Sequence, residues 1–247
     1  MTKQSWTLVL LAVCFSMFAQ AQRLNLMTYN IRHGAGMDGV VDFDRTAAVI
    51  RKANPDVVAL QEVDSATRRC GGKDVALELA RRTGMVPTFS AAISFDGGGY
   101  GVGLLSRERP VAVHRYPLPG REERRTLLVA EFKDYTVCCT HLSLTEEDCV
   151  ASAEIICNVA KKLKHKPIFL MGDFNAVPGS ALVTRLGKSF RVFTDPHIAT
   201  CPADVPTDAI DYIMAWRKGA KVRAEEVEVM DERMASDHRP VRARVAW

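Results

Sequence analysis

The chain has 247 residues, a length that fits one large domain or, less easily, two small ones. Hydrophobic residues make up 47% and charged residues 25%, which excludes a fibre, a disordered tail or a low-complexity chain. The formal net charge of +4 is close to balance and does not describe a dedicated nucleic-acid binder.

The N-terminal segment has the pattern of a secretory signal. Lys3 precedes an apolar run over residues 6–18, and Ala19-Gln20-Ala21 follows this run. A basic start, a short apolar stretch and an A-x-A ending predict a signal peptide over residues 1–21, with a buried N-terminal helix as the alternative. The run is too short for a bilayer span of about 20 residues. We therefore expect an exported protein, periplasmic or secreted, and lipid anchoring through Cys14 is not favoured.

The mature chain begins with a strand–helix–strand unit. Its predicted elements are a strand over Leu24–Tyr29 that ends at Asn30, a helix over Phe43–Ala53, and a buried strand over Asp56–Leu60 that ends in Gln61-Glu62. A helix over Asp74–Thr83 and a strand over Val102–Leu105 come next, with Gly97–Gly99 as the loop between them.

A second strand–helix–strand unit follows. It consists of a strand over Thr136–Cys139 that ends at Thr140-His141, a helix over Glu146–Leu163, and a strand over Ile168–Met171 that runs into Gly172-Asp173-Phe174-Asn175. The chain closes with an apolar strand over Ala209–Met214 and a strand over Pro240–Ala246, whose alternation of apolar residues with arginine predicts a half-exposed edge. This order of elements predicts one α/β domain over residues 22–247.

Six cysteines remain after the predicted signal. An even number in an exported protein permits disulfides without showing any. Cys138 and Cys139 are adjacent in an apolar strand, so we expect them to face opposite sides of a sheet. The sequence has no C-x-x-C pair, which disfavours a zinc–thiolate site.

Polar side chains follow the apolar strands at the points where the chain leaves the sheet. They are Asn30, Glu62, His141, Asp173, Asn175, Asp211, Asp237 and His238. Strand ends at one edge of a sheet are neighbours in space, so these groups can converge on one cleft. Carboxylates combined with amides and histidines suit Mg²⁺ or Mn²⁺ and can bind and attack a phosphoester.

Each of these residues also has a purely structural interpretation. Asn30 is compatible with a turn, Glu62 with a solvent-facing strand end, Asp173 with an Asx turn, and His141 with a structural histidine. Asp211 is harder to explain in this way, because a carboxylate within an apolar strand needs a partner or a proton.

The ordered set of segments resembles the endonuclease/exonuclease/phosphatase superfamily. The resemblance runs from about Leu24 to Trp247 and is carried by Thr28-Tyr29-Asn30, Gln61-Glu62, Thr140-His141, Gly172-Asp173-Phe174-Asn175, Ile210-Asp211-Tyr212 and Ser236-Asp237-His238. Members include pancreatic-type deoxyribonucleases, abasic-site endonucleases, inositol polyphosphate phosphatases and neutral sphingomyelinases. The resemblance implies a four-layer αββα sandwich of two packed mixed sheets flanked by helices, with the site at one edge.

The resemblance also implies roles around a metal ion. Glu62 would be the principal ligand, with Asn30 close to both metal and phosphate. Asp237 would lie beside the metal or a second metal position. Asp173 would lie among the metal ligands and orient or deprotonate the attacking water, with support from Asn175.

The resemblance further implies that two histidines would contact the phosphate. His238 would hold it and stabilise the charge that builds on it, while Asp211 would fix the tautomer of His238 and favour its cationic form. His141 would contact phosphate oxygens or assist the leaving group.

The chain departs from many relatives at Ala209, where they carry an arginine. Arg125 or Arg124 is a candidate substitute for binding substrate, although both also fit a surface loop. Tyr100 is a further candidate near the site.

These observations predict an exported divalent-metal-dependent phosphoester hydrolase, either a phosphodiesterase or a phosphatase, acting on a small or lipid-linked phosphoester. A secreted nuclease is the alternative, disfavoured because no long insert rich in basic and aromatic residues is present. A non-catalytic binding protein that retains the fold is the third reading, but it would be expected to lack Glu62, Asp173 or His238. We expect a monomer without an integral membrane segment after signal removal.

Overall fold

The computed structural model describes residues 21–163 and 166–247. All but the last residue of the predicted signal peptide therefore lies outside the described residues. None of the helices within these two ranges has the length and apolar character needed to cross a membrane.

Two mixed sheets, each of six strands, form the centre of the described chain. The first sheet has the spatial order β11 (Arg223–Val229), β12 (Val241–Ala246), β1 (Arg23–Asn30), β2 (Val57–Ser65), β4 (Gly98–Ser106) and β3 (Val86–Phe95). The second has the order β5 (Ala112–Leu118), β6 (Arg125–Glu131), β7 (Thr136–His141), β8 (Ile168–Asp173), β10 (Asp211–Trp216) and β9 (Phe190–Val192). Each sheet has one parallel pair, β1 with β2 and β7 with β8.

Four α-helices cover the outer faces of the sheets: α1 (Phe43–Ala53), α2 (Val75–Thr83), α3 (Glu146–Lys162) and α4 (Ala181–Gly187). The first two pack on the first sheet and the last two on the second. A third apolar cluster fills the space between the two sheets. The predicted αββα sandwich is therefore confirmed.

Local chemistry explains where the first two helices begin and end. The Asp42 carboxylate accepts hydrogen bonds from two backbone N–H groups at the start of α1, and the Asp74 carboxylate does the same for one at the start of α2. Asn54 and Gly84 end these helices in the left-handed conformation. These caps are readable in the sequence, and both helices lie within a residue of their predicted bounds.

The strands of the parallel pairs are buried on both faces. In β1, Leu24 and Leu26 pack between the sheets, whereas Met27 and Tyr29 pack under the helices. Cys138 and Cys139 likewise face opposite sides of β7, as predicted. Burial on both faces explains why these strands have continuous apolar sequences. All six cysteines of the described residues are free thiols, so the structure forms no disulfide among them.

Several elements differ from the sequence prediction. β3, β5, β9, β11 and α4 were not predicted, because most are short or polar, as the exposed RAEEVEV sequence of β11 illustrates. Gly98 and Gly99 belong to β4 and form a hairpin with β3 rather than a loop. The prediction that the last strand lies at an edge is wrong. β12 is interior, and its arginines face glutamates of β11, which covers it.

Candidate active site

The predicted polar residues converge at one edge of the sandwich. Asn30 and Asp173 end β1 and β8, His141 ends β7, and Asp211 begins the antiparallel β10 at the same edge. Ser236 ties the C-terminal Ser-Asp-His segment to this edge, since its hydroxyl donates to the backbone oxygen of Asn30 at 2.7 Å. The topology therefore brings together residues more than 200 positions apart.

One carboxylate oxygen, Oδ2 of Asp173, is the point at which three side chains meet. Asn30 Nδ2 donates to it at 3.0 Å, and the Nε2 atoms of His141 and His238 lie 3.5 and 3.6 Å away. Asn30 Nδ2 also donates to Glu62 Oε1 at 3.0 Å. Asn30 thus bridges the carboxylates of Glu62 and Asp173.

A β-bulge aims Glu62 into the cleft. The register between β2 and β4 shifts between Leu60 and Val63, and Glu62 between them adopts a left-handed φ of 56°. Burial raises the pKa of the Glu62 carboxyl, and the neighbouring carboxylates of Asp237 and Asp173 raise it further, against the hydrogen bond from Asn30. Burial and the neighbouring carboxylates therefore both disfavour the charged form of Glu62.

The Gly-Asp-Phe-Asn segment is shaped by close contact between β7 and β8. A Cβ atom on Gly172 would lie 2.0 Å from the backbone oxygen of Thr140, so only glycine fits there. The Asp173 carboxylate then accepts from the backbone N–H of Asn175 at 2.9 Å, an Asx-type turn. Burial opposes ionisation of Asp173, but the two histidines and these donors lower its pKa below its usual value.

His238 and Asp211 form a buried hydrogen-bonded pair. Nδ1 of His238 donates to Asp211 Oδ2 at 2.9 Å, and the hydroxyl of Thr200 donates to the same oxygen at 2.6 Å. Burial disfavours protonation of His238, but the Asp211 carboxylate outweighs it and raises the pKa of His238 far above its usual value. Burial also raises the pKa of Asp211. Because the Thr200 hydroxyl donates to Asp211 Oδ2 and so stabilises the ionised carboxylate, we place the shared proton on His238.

His141 is neutral. Burial lowers the pKa of His141 to about 4. The Asn175 amide donates both to the backbone oxygen of Leu142 at 2.9 Å and to Nε2 of His141 at 3.0 Å, so Nε2 is the unprotonated nitrogen. The remaining nitrogen, Nδ1, carries the proton.

Asp237 and Arg125 also border the cleft. Asp237 is partly exposed, and its Oδ2 lies 3.5 Å from Nε of Arg32. Arg125 is 8% exposed and lines a narrow cavity with Tyr100 and His141. Its guanidinium pairs with Glu123 at 3.1 Å, while its Nε has no hydrogen-bond partner among the described residues. Arg124, the other candidate, is exposed.

Sequence reasoning missed Arg32 and Thr200. Arg32 and the following His33 adopt left-handed φ values of 45° and 47°, a strained conformation for such side chains that recurs at functional sites. The backbone N–H of Arg32 donates to Asn30 Oδ1, which fixes the orientation of that amide. The Asn-Ile-Arg-His-Gly sequence directly after β1 was the available indication. Nothing in the sequence around Thr200 points to Asp211.

The fold and the site thus consist of two packed sheets with carboxylates, amides and histidines at one edge. The sequence profile of the Endonuclease/Exonuclease/phosphatase family matches residues 27–238. The chain belongs to this family, whose members are phosphoester hydrolases that depend on divalent metals. None of the curated proteins gives a significant match.

Solved structures show the same fold. An endonuclease/exonuclease/phosphatase family protein from Bacteroides thetaiotaomicron is 16% identical with a TM-score of 0.77, covering 92% of this chain and 96% of that chain. A mannosyl-6-phosphatase of the same organism is 15% identical with a TM-score of 0.72, covering 91% and 100%. TDP2 of D. rerio, complexed with single strand DNA product, is 18% identical with a TM-score of 0.67, covering 90% and 98%. At these identities the likeness concerns the fold alone.

Proposed function

We propose that this chain is an exported hydrolase, dependent on Mg²⁺ or Mn²⁺, that cleaves a small or lipid-linked phosphoester by attack of water on phosphorus. The observation that carries the proposal is the position of Asp173. Its carboxylate is buried and faces Asn30, His141 and His238 at once. Export rests on the signal-peptide pattern at the N-terminus.

The residues around Glu62 fit a divalent metal ion. Glu62, Asp237 and Asp173 supply hard oxygen donors, and burial together with the carboxylates of Asp237 and Asp173 raises the pKa of Glu62. Glu62 and Asp237 would hold the metal, with Asp173 next to it and Asn30 orienting two of these carboxylates. When bound there, the metal would polarise a phosphoryl oxygen and favour ionisation of water.

A second group of possible ligands serves a different purpose in this proposal. Atoms of Asp173, Asp211 and His238 all lie within 4.8 Å of one another. However, His238 is protonated and donates Nδ1–H to Asp211, so its imidazole is a hydrogen-bond donor rather than a ligand. We assign His238 to the phosphate, where its positive charge stabilises the charge that builds on the non-bridging oxygens.

Asp173 acts as the base or positioning group for water. Its lowered pKa keeps it ionised at neutral pH, and the donors from Asn30 and Asn175 hold its two oxygens in fixed positions. An ionised, immobilised carboxylate can align a water molecule and accept its proton. Asn175 contributes by fixing both Asp173 and His141.

The other wall of the cleft contacts the substrate. Neutral His141 can donate through Nδ1–H to a phosphate or leaving-group oxygen, and it shares its cavity with Arg125. Arg125 and Arg32 are the cations placed to take the role of the arginine that many relatives carry at the position of Ala209. Arg125 already pairs with Glu122 and Glu123, which weakens the local positive charge and disfavours a long polyanionic strand across the cleft.

The test is a substrate comparison with purified protein in Mg²⁺ or Mn²⁺. Bis-p-nitrophenyl phosphate, p-nitrophenyl phosphate, sphingomyelin and plasmid DNA are compared for wild type, Asp173→Ala and His238→Ala, with exposed Asp134→Ala as the control. We expect hydrolysis of a small or lipid-linked phosphoester that both site variants lose and the control keeps. Equal inactivity of wild type and variants on every substrate would contradict the proposal, and preference for plasmid DNA would favour the nuclease.

A further inference from the structure

Basic side chains cluster at the edge of the sandwich opposite to the candidate active site. β10 begins at Asp211 in the site and ends at Trp216, and a rise of about 3.3 Å per residue places these ends roughly 17 Å apart. Among the residues that the structure describes, seven cationic ones lie around Trp216, and we call them the Trp216 basic surface: Lys161, Lys166, Arg191, Arg217, Lys218, Lys221 and Arg223.

The surface is concave rather than flat. A cavity of about 440 Å³ on one side of Trp216 is lined by four of the cations: Arg191, Arg217, Lys221 and Arg223. A cavity of about 280 Å³ on the other side is lined by the other three: Lys161, Lys166 and Lys218. No aspartate or glutamate in the described part of the chain lines either cavity.

Most of this positive charge is uncompensated. Within residues 21–163 and 166–247, Arg223 is the one member of the surface that forms an ion pair, with Glu225 at 3.1 Å. Two arginines are instead held by backbone oxygens. Arg217 Nε donates to those of Gly187 and Phe190 at 3.0 Å, and Arg191 donates to that of Val222 at 3.3 Å. These contacts fix the guanidinium groups in place and leave their charge in full.

We propose that the Trp216 basic surface binds a linear polyanion that carries phosphate groups, such as a nucleic-acid strand or a polyphosphate chain. Cations within a Debye length of about 8 Å repel one another, and a chain of phosphates relieves this repulsion while releasing its own counterions. Two cavities separated by Trp216 suit repeated negative charges better than a single small anion.

The chemistry of the surface disfavours a lipid membrane as the partner. None of the exposed large hydrophobic side chains of the described residues belongs to it. Trp216 itself is 8% exposed and is not available for insertion. The surface also lies away from the cleft, so a bound polymer leaves the candidate active site open. The inference therefore goes beyond the proposed hydrolase activity and does not depend on it.

Fluorescence anisotropy with a labelled oligothymidylate of about 20 nucleotides, in EDTA and between about 50 and 200 mM salt, tests the proposal. The charge reversal Lys218→Glu with Lys221→Glu changes two exposed side chains that form no side-chain hydrogen bond or ion pair within the described parts of the chain. We expect the Kd to rise at least about tenfold and the salt dependence to lose about two phosphate contacts. The matched control is Lys52→Glu with Arg109→Glu, two exposed cations outside the surface, and we expect it to bind nearly as wild type does.

Competition identifies the source of the phosphates. Displacement of the oligonucleotide by inorganic polyphosphate supports a general phosphate chain, and failure to displace it supports a nucleic acid. The neutral variant Lys218→Gln with Lys221→Gln and the thermal unfolding midpoint of each variant separate lost charge from lost fold. The proposal is overturned if the control weakens binding as much as the reversal does. Binding to vesicles with anionic lipids but not to the oligonucleotide would overturn it as well.

Discussion

The two sides of the cleft are built alike but carry charge differently. On one side, the parallel strands β1 and β2 place Asn30 and Glu62 at the sheet edge; on the other, β7 and β8 place His141 and Asp173 there. Around Glu62, burial and the neighbouring carboxylates of Asp237 and Asp173 raise the pKa of Glu62. The second side includes its own cation, because His238 reaches across from the segment before β12 and is protonated beside Asp211.

This difference assigns separate tasks to the two sides. A side with excess negative charge recruits a metal ion, whereas a side with a fixed imidazolium can bind a phosphate. Asp173 belongs to both, because it accepts from Asn30 and lies near His238. Substitutions at these positions should therefore change different properties of the protein, and by different amounts.

Asp173→Asn should cause the largest loss. The amide retains the shape of the side chain but cannot accept a proton or balance His238, and we expect kcat to fall by roughly 10³-fold, within the range for loss of a general base. The measurement is hydrolysis of bis-p-nitrophenyl phosphate at saturating metal. The control Asp134→Asn removes an exposed carboxylate and should leave the rate unchanged. A loss below about tenfold would show that Asp173 is not the base.

Asp211→Asn should cause a loss of about 100-fold that depends on pH. The Asp211 carboxylate raises the pKa of His238, so the wild-type imidazolium persists through neutral pH and is lost only at high pH. Without that carboxylate the pKa of His238 falls, because burial is no longer opposed. The variant should therefore lose activity as pH rises through the neutral range, where wild type shows no such decline. A pH–rate profile measures this, and parallel profiles for the two proteins would contradict the assigned pair.

The sequence predicts the second side better than the first. Asp173, Asp211 and His238 adjoin apolar strands with clear periodicity, and their pairing follows once those strands share an edge. The orientation of Glu62 depends on a bulge between β2 and β4, which is set by pairing with a strand whose glycines read as a loop. Arg32 depends on backbone strain that residue types do not reveal. Local pattern thus predicts strand ends, whereas bulges and strained turns follow from tertiary pairing.

The Trp216 basic surface could be predicted from the sequence only in part. Two basic stretches, residues 161–166 and 217–223, contain six of its seven cations, but nothing in the sequence places the two stretches and Arg191 side by side. The net charge of +4 gives no indication of such asymmetry. The fold alone brings these residues to one edge.

Glu62→Gln should affect metal binding and stability in opposite directions. Loss of the carboxylate removes a hard ligand, so we expect metal affinity to fall by roughly 10- to 100-fold, measured by titration with Mn²⁺. In EDTA the variant should unfold at the same temperature as wild type or above it, because a partly buried carboxylate that its neighbours repel has been removed. The raised pKa of Glu62 also predicts that removing its negative charge stabilises the metal-free fold, because metal-free wild type gains stability as pH falls through that pKa.

Asp211→Asn is the matched comparison for stability. It removes the partner of a buried imidazolium, so it should lower the unfolding temperature at neutral pH in EDTA, where Glu62→Gln does not. Loss of stability in both variants would show that the two sides of the cleft carry charge in the same way, which would remove the basis for their separate tasks.

Arg32→Gln should have the smallest effect and show whether the metal side also contacts substrate. The Arg32 side chain is partly exposed at the rim, and its one ionic contact with the described residues is a 3.5 Å approach to Asp237. Its backbone bond to Asn30 does not involve the side chain, so the substitution should leave the carboxylate bridge intact. If the guanidinium binds phosphate, KM for p-nitrophenyl phosphate should rise about five- to tenfold with little change in kcat. Bis-p-nitrophenyl phosphate, with one negative charge fewer, should be affected less, and the control Arg109→Gln should change neither. An unchanged KM for both substrates would restrict Arg32 to its contact with Asp237, and binding of the phosphate would then rest on His238 and the side of the cleft built from β7 and β8.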